Sequence, residues 1–213
     1  VEKVSAPDRL PAAVDCFALF GEPRRPWLDL EALKTRFLQL TGTVHPDKTA
    51  GDKAEATRQF AELNAAYQRL SDHRQRLRHL LELESDVPLS DVQQIPPGAM
   101  DLLMEIGQAC READPFIARR ESASPLLKAH MMETGMGLTD RLTSLKRQVE
   151  TRQAEIWAEL QGMNAEWAAA PSPGTPERAS ALPLARLEQH ARALSYLARG
   201  AGQIQERLTQ LML

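Results

Sequence analysis

Runs of Val, Ile, Thr, Tyr and Phe are missing from this sequence, and only 5% of its residues are aromatic. A sheet therefore has little to build on, whereas the abundant Ala, Leu, Glu, Gln and Arg favour helices. There are only two cysteines, Cys16 and Cys110, and neither sits in a Cys-x-x-Cys pair. That leaves at most a single disulfide as the alternative, and both read as small buried apolar residues in a reducing compartment. No apolar stretch approaches the roughly 20 residues needed to cross a bilayer. The N-terminus lacks the basic start and apolar run of a signal peptide. Charge bias is also missing: 26 Lys and Arg face 29 Asp and Glu, for a net charge of -3. Neither nucleic acid nor an anionic membrane is indicated as a partner. No Gly-rich phosphate loop, G-x-S-x-G elbow or Cys–His arrangement appears. What remains is a helical chain of 213 residues, enough for one ordinary domain or two small ones.

Residues 1–13 are polar and proline-containing, and read as a disordered leader. Residues 14–20 fit one or two helical turns, ended by Gly21, Pro23 and Pro26. Asp29 is a good N-cap for a helix whose Leu30, Leu33, Phe37, Leu40 and Val44 share one face. Pro46 stops that helix, because the residue before a proline is pushed out of the helical region. A small polar loop follows at 49–54. The next helix carries Phe60, Leu63, Tyr67 and Leu70, and Ser71-Asp72 then makes a break and a cap. Leu77, Leu80, Leu81 and Leu83 continue a third apolar face. Residues 85–98 hold Pro88, Pro96, Pro97 and Gly98, and read as a linker.

Beyond the linker, Met100 to Ala113 is a short apolar helix. Pro115, Pro125, Gly135 and Gly137 interrupt helical sequence over 114–137. Leu138, Leu142, Leu145, Val149, Ile156, Leu160, Met163 and Trp167 then form the heptad-like seam of a long helix. A turn at 171–176 leads to a last helix over 177–211, with Pro183 marking its first turn or a kink. The expected architecture is all-α: a helical domain over 14–84 and a three-helix bundle over 99–213. The seam at 138–167 suits a dimer as well as an intramolecular bundle.

His45-Pro46-Asp47 falls in the loop between the two helices of the first domain. Pro46 fixes its own φ and restricts His45, so the flanking side chains are presented in a defined geometry. Asp47 is an anion suited to pairing with an arginine on a partner, and His45 offers a ring that packs and hydrogen-bonds. With the helices around it, this stretch resembles a J domain, the Hsp70-activating module. The likeness extends to the HscB family, J-proteins of iron–sulfur cluster assembly. It is carried by Cys16-Phe17-Ala18-Leu19-Phe20-Gly21 and Arg36-Phe37, by Leu63 to Leu70 with Arg76 and Leu80 to Leu83, and by Leu102 to Glu105 with Leu194 to Leu197.

The resemblance implies a co-chaperone, not an enzyme, with a J domain followed by a C-terminal three-helix bundle. It implies that His45, Pro46 and Asp47 dock on an Hsp70, with Lys34 and Arg36 adding electrostatic contacts. It implies a client site for the iron–sulfur scaffold protein at Leu103, Met104 and Tyr196. No cofactor is expected, and no structural metal, since the paired Cys-x-x-Cys motifs of some animal members do not occur here. The expected compartment is a bacterial cytoplasm.

The chain departs from that pattern in places. The turn before the tripeptide, Leu40 to Val44, has no Lys or Arg, and Gly42 costs helix propensity of about 1 kcal/mol against Ala. Attraction to an acidic Hsp70 surface is expected to be weaker than usual. Gly107, Gln108 and Arg111 replace the family's leucine and acidic residues. Residues 114–137 read as an insertion, with Met131, Met132 and Met136 either core filling or an adaptable client surface. His73, His79, His130 and His190 read as solvated or half-packed. Arg74, Arg76 and Arg78 read as a solvated helix face, and Asp72, Glu82 and Glu84 as surface charges. Trp157 and Trp167 read as core or bundle-end packing. Two other readings stand beside the first: a J-protein with an unrelated client, and a helical adaptor with a degenerate J domain.

Overall fold

A computed structural model describes residues 14–44, 53–85 and 98–212. The expected leader, the tripeptide His45-Pro46-Asp47 and almost all of the expected linker lie outside the described residues. The secondary structure among the described residues is entirely helical. Its order is α1 (Cys16–Phe20), α2 (Leu30–Thr43), α3 (Lys53–Ser71), α4 (His73–Glu84), α5 (Met100–Glu121), α6 (Pro125–Ala169), α7 (Pro176–Ala181) and α8 (Leu184–Met212). The chain forms two compact units that do not follow the expected division by sequence. One joins residues 160–187 to the N-terminal 89, and the other holds 90–159 and 188–213.

Aspartates start three helices of the first unit. Asp15 accepts from the backbone N–H groups of Phe17 and Ala18, Asp29 from those of Glu31 and Ala32, and Asp72 from that of Gln75. Each satisfies donors that have no partner within the helix, worth about 1 kcal/mol per cap. Gly21 ends α1 at φ 66, a left-handed conformation that suits glycine. Phe17, Phe20, Leu33, Ala66, Leu70, Leu77 and Leu80 are buried at the centre. Leu160, Met163 and Trp167 at the end of α6 are buried too. Burying one such large side chain contributes roughly 1.5–3 kcal/mol.

Polar groups fix how these elements meet. Arg76 has no exposed surface, although a solvated face was expected there. Its Nε donates to the Pro26 carbonyl at 3.2 Å and its Nη1 to the Leu70 carbonyl at 2.6 Å. Burial pushes its pKa down to about 10. Arg74 and Arg78 do face solvent. Glu84 is likewise buried, not a surface charge. Arg178 of α7 grips it with two bonds, Nε to Oε2 and Nη2 to Oε1, each 2.7 Å. Asn164 of α6 clamps the Trp27 backbone, donating to its carbonyl at 3.0 Å and accepting from its N–H at 3.1 Å. These bonds are why 160–187 belong with the N-terminal residues.

His79 is the third buried polar group of α4, where a solvated or half-packed ring was expected. Its Nε2 accepts from the Cys16 backbone N–H at 3.1 Å, and its ring stacks on Phe17. A nitrogen that accepts carries no proton, so this contact needs neutral histidine. Burial, aided by the nearby Arg69 guanidinium, holds the His79 pKa below the ordinary value of 6.5. His73 is lowered as well, by burial and by Arg76.

The last expected helix is two helices. Leu182 is extended, and the Pro183 carbonyl accepts the first bond of α8, from Leu187 at 3.1 Å. Proline therefore sits where its missing N–H costs nothing.

In the second unit α5, α6 and α8 supply a three-helix bundle. Ile106, Cys110 and Ala113 of α5 are buried, as are Leu142, Leu145 and Val149 of α6 and Leu194, Leu197 and Ile204 of α8. The interruption expected over 114–137 is absent apart from a short turn. Helix α5 runs through Pro115 to Glu121, and α6 starts at Pro125. Buried Ala113 and Ile117 hold α5 on both sides of Pro115. The Pro125 ring suits a first helical turn. Met132 and Met136 are 65% and 62% exposed, so they are not core filling. His130 is exposed, whereas His190 is buried with its Nε2 3.2 Å from Glu159. Trp167 is core and Trp157 half-buried. Both cysteines are free and buried.

Two stability predictions follow from the first unit. Arg178→Ala is expected to cost about 3–5 kcal/mol in urea denaturation, because Glu84 is left buried with only Arg24, 3.8 Å away. Replacing the pair by Glu84→Leu with Arg178→Met loses far less. Acid is the second test. A histidine whose folded pKa lies below its unfolded value binds more protons when unfolded. Its contribution is complete above about pH 6.5 and is lost as pH falls through the folded pKa. The urea midpoint is expected to fall from neutral pH toward pH 5, and His79→Gln, which keeps an acceptor but does not titrate, is expected to flatten that fall.

Candidate functional site

Helices α2 and α3 form the arms of a hairpin, pinned by Phe37 stacked on Tyr67 at 4.4 Å between ring centroids. Helix α2 ends at Thr43 and α3 begins at Lys53, so His45, Pro46 and Asp47 fall in the connection outside the described residues. Local hydrogen bonds close the end of α2. Thr41 donates its hydroxyl to the Phe37 carbonyl at 2.8 Å, and Thr43 donates to the Leu40 carbonyl at 2.7 Å. The Leu40 carbonyl, one of the last four of α2, is thus satisfied by a threonine hydroxyl, where a basic side chain would be the alternative.

The two cations expected to assist the tripeptide are separated. They stand about 200° apart around the helix. Lys34 is exposed. Arg36 turns toward α1 and donates Nε to the Phe20 carbonyl at 3.3 Å. Leu38 is 60% exposed on the Lys34 side of α2, and sequence reasoning passed over it. The available signal was its absence from the 3-4-3-4 apolar stripe.

The residues expected to hold a client lie on facing helices of the bundle. A Cβ at Gly200 of α8 would come within 3.6 Å of the Leu103 side chain of α5 and 3.1 Å of Ile106. The missing side chain lets the two backbones approach. Tyr196 lies one turn before Gly200, half-buried, with Arg199 over its ring at 5.6 Å. Met104 is 65% exposed beside the half-buried Leu103. Leu103 thus lies against α8 near Gly200, while Met104 leaves most of its side chain open to solvent. Among the described residues no group of three or more His, Cys, Asp or Glu is placed to hold a metal. None of the described helices is long and apolar enough to cross a membrane.

The DnaJ domain family is matched by residues 25–79, which span the hairpin, the tripeptide and most of α4. Among solved structures, the chaperone HscB from Vibrio cholerae is similar with a TM-score of 0.58 at 25% identity. That match covers 93% of this chain and 99% of the other. The chain thus carries a DnaJ domain in its N-terminal part and shares its fold with HscB along nearly its whole length.

Proposed function

We propose that the protein is an Hsp70 co-chaperone that stimulates ATP hydrolysis through His45, Pro46 and Asp47 and delivers the scaffold protein of iron–sulfur cluster assembly. The observation that carries the reading is the tripeptide inside a matched DnaJ domain, between two helices that stack on each other. Residues 14–84 act as the J domain and 99–213 as the client-holding part. Lys34 adds a cationic contact. Arg36 acts on the opposite side of α2, so its share in docking is indirect. The protein modulates an enzyme and carries out no reaction itself. It favours the hydrolysis-competent conformation of Hsp70, and tethering raises the local concentration of the client. Leu103, Met104 and Tyr196 supply the client surface, supported by the exposed Met104 and the aromatic edge of Tyr196. The compartment proposed is a bacterial cytoplasm.

Single-turnover ATP hydrolysis by the cognate Hsp70 tests the first part. Wild type is expected to accelerate it, and His45→Gln is expected to lose the acceleration at every concentration while keeping its helical circular dichroism. Equal rates with and without wild type, on an Hsp70 that answers another J-protein, would leave the adaptor reading. The client is tested by titration calorimetry with the scaffold protein. Met104→Ser with Tyr196→Ala is expected to weaken binding about tenfold or more, and unchanged affinity points to an unrelated client surface.

A further inference from the structure

We infer that the protein forms a two-fold symmetric dimer in which the first turns of α6, residues 125–140, pack antiparallel against the same stretch of a second copy. This surface is separate from the client residues proposed above. Phe116 and Arg120, which flank it on α5, stand roughly 20 Å or more along that helix from Leu103.

Three observations carry the inference. The first is an apolar face that the fold leaves uncovered. Met132 and Met136 keep 65% and 62% of their surface in water. They line a hollow of about 390 Å³ that also takes in Phe116 and Leu211. A Cβ at Gly135 would come within 3.2 Å of the Phe116 ring, so this stretch of α6 is seated on α5 while its methionines stay open. The heptad-like seam that follows is used inside the chain. Leu142, Leu145, Val149 and Ile156 are all buried, so that seam is closed to a second copy.

The second observation is the order of charges. Lys128, Met132, Met136 and Asp140 follow at intervals of four and line the same hollow, as one ridge of the helix. The ridge is symmetric about Thr134, except that its two ends carry opposite charge. Laid antiparallel on itself, it sets Lys128 of one copy beside Asp140 of the other, twice, and Met132 beside Met136. An isologous contact needs this self-complementarity, and ridges of this spacing give the commonest class of helix packing. A purely acidic partner would repel Asp140, and a purely basic one would repel Lys128.

The third observation is that these two charges have no other use. Neither has an opposite charge three or four residues away on α6. Among the described residues neither side chain is in an ion pair or a hydrogen bond. Arg141, next to Asp140, is committed to Glu112 of α5. Arg120, in the same hollow as Lys128, donates to the Leu211 carbonyl. A contact confined to this stretch lies at the small end of specific interfaces, about 1,200 Å² in all, so association is expected in the micromolar range.

Sedimentation equilibrium of the full chain, from about 1 to 200 µM, tests the inference. The samples are wild type, Lys128→Asp, Asp140→Lys, an equal mixture of those two, and Met132→Ser with Met136→Ser. All four positions are exposed, so thermal midpoints and helical circular dichroism are expected to stay close to wild type. Wild type is expected to pass from monomer to dimer across the range. Each single reversal is expected to weaken self-association about tenfold or more, because it sets like charges together at both ends. The mixture is expected to regain the dimer, since the two variants complement each other at both ends. The serine pair is expected to weaken association about tenfold or more as well. Wild type that stays monomeric throughout overturns the inference and leaves the hollow to a segment of another protein. A dimer that tolerates both reversals, or reversals that the mixture does not rescue, places the contact elsewhere and overturns it too.

Discussion

Glu84 and Arg178 are 94 positions apart in the chain and meet in two 2.7 Å bonds with almost no solvent access. Neither charge would be tolerated alone at such a site. Removing a carboxylate and a guanidinium from water costs several kcal/mol each, and only a well-aligned pair offsets that. The fork geometry of arginine suits the task, since it meets both carboxylate oxygens in one plane. The remaining guanidinium nitrogen of Arg178, Nη1, donates to the Pro171 carbonyl at 2.5 Å, and Arg24 stands 3.8 Å from the same carboxylate. Arg24 in turn holds Asp15, the cap of α1, at 2.8 Å. One buried carboxylate thus reaches α7, the turn before it and the start of α1. The pair adds little to net stability compared with an apolar substitute, but it penalises every arrangement in which the two residues do not meet.

The same logic runs along α4. Arg76, His79 and Glu84 all point inward, alternating with Leu77, Leu80 and Leu81. A purely apolar helix of this length would pack in several registers. Three polar groups that must each find a particular partner leave one. Arg76 finds the Pro26 and Leu70 carbonyls, His79 the Cys16 N–H, and Glu84 the Arg178 fork. The helix therefore serves as the reference to which α1, α3, the 23–28 segment and residues 160–187 are aligned. The α2–α3 hairpin inherits that order through α1 and α3, which carries positional precision to both ends of the tripeptide connection.

How much of this was legible beforehand depended on the kind of signal. Helix type and most starts were readable, because apolar spacing and aspartate caps act within a few residues. Asp15, Asp29 and Asp72 all sit at helix starts, and Asp29 and Asp72 were readable as caps from their neighbours alone. The tripeptide and the bundle were readable by likeness. What stayed hidden was whatever depended on a partner far along the chain. Nothing local distinguishes Glu84, which is buried, from Glu82, which is exposed, and the same holds for Arg76 beside Arg74 and Arg78. Pro115, Gly135 and Gly137 read as breaks because their local cost is real, yet packing of Ala113 and Ile117 outweighs the proline and the helices run on. Pro183 misled less, since it does mark a helix start, but the break before it separates α7, whose Arg178 has its own role.

Leu38 of α2 shows the reverse case, a large apolar side chain that the fold leaves out. Leu38 does not belong to the stripe of α2, so a search for core positions passes over it, and a search for charged residues does too. Only the combination of register and exposure singles it out. Glu31, Lys34, Leu38 and Gly42 form one side of α2, and together they carry no net charge. A face without net charge steers a partner only weakly at long range. Short-range apolar contact falls off within a few ångströms and is sensitive to shape.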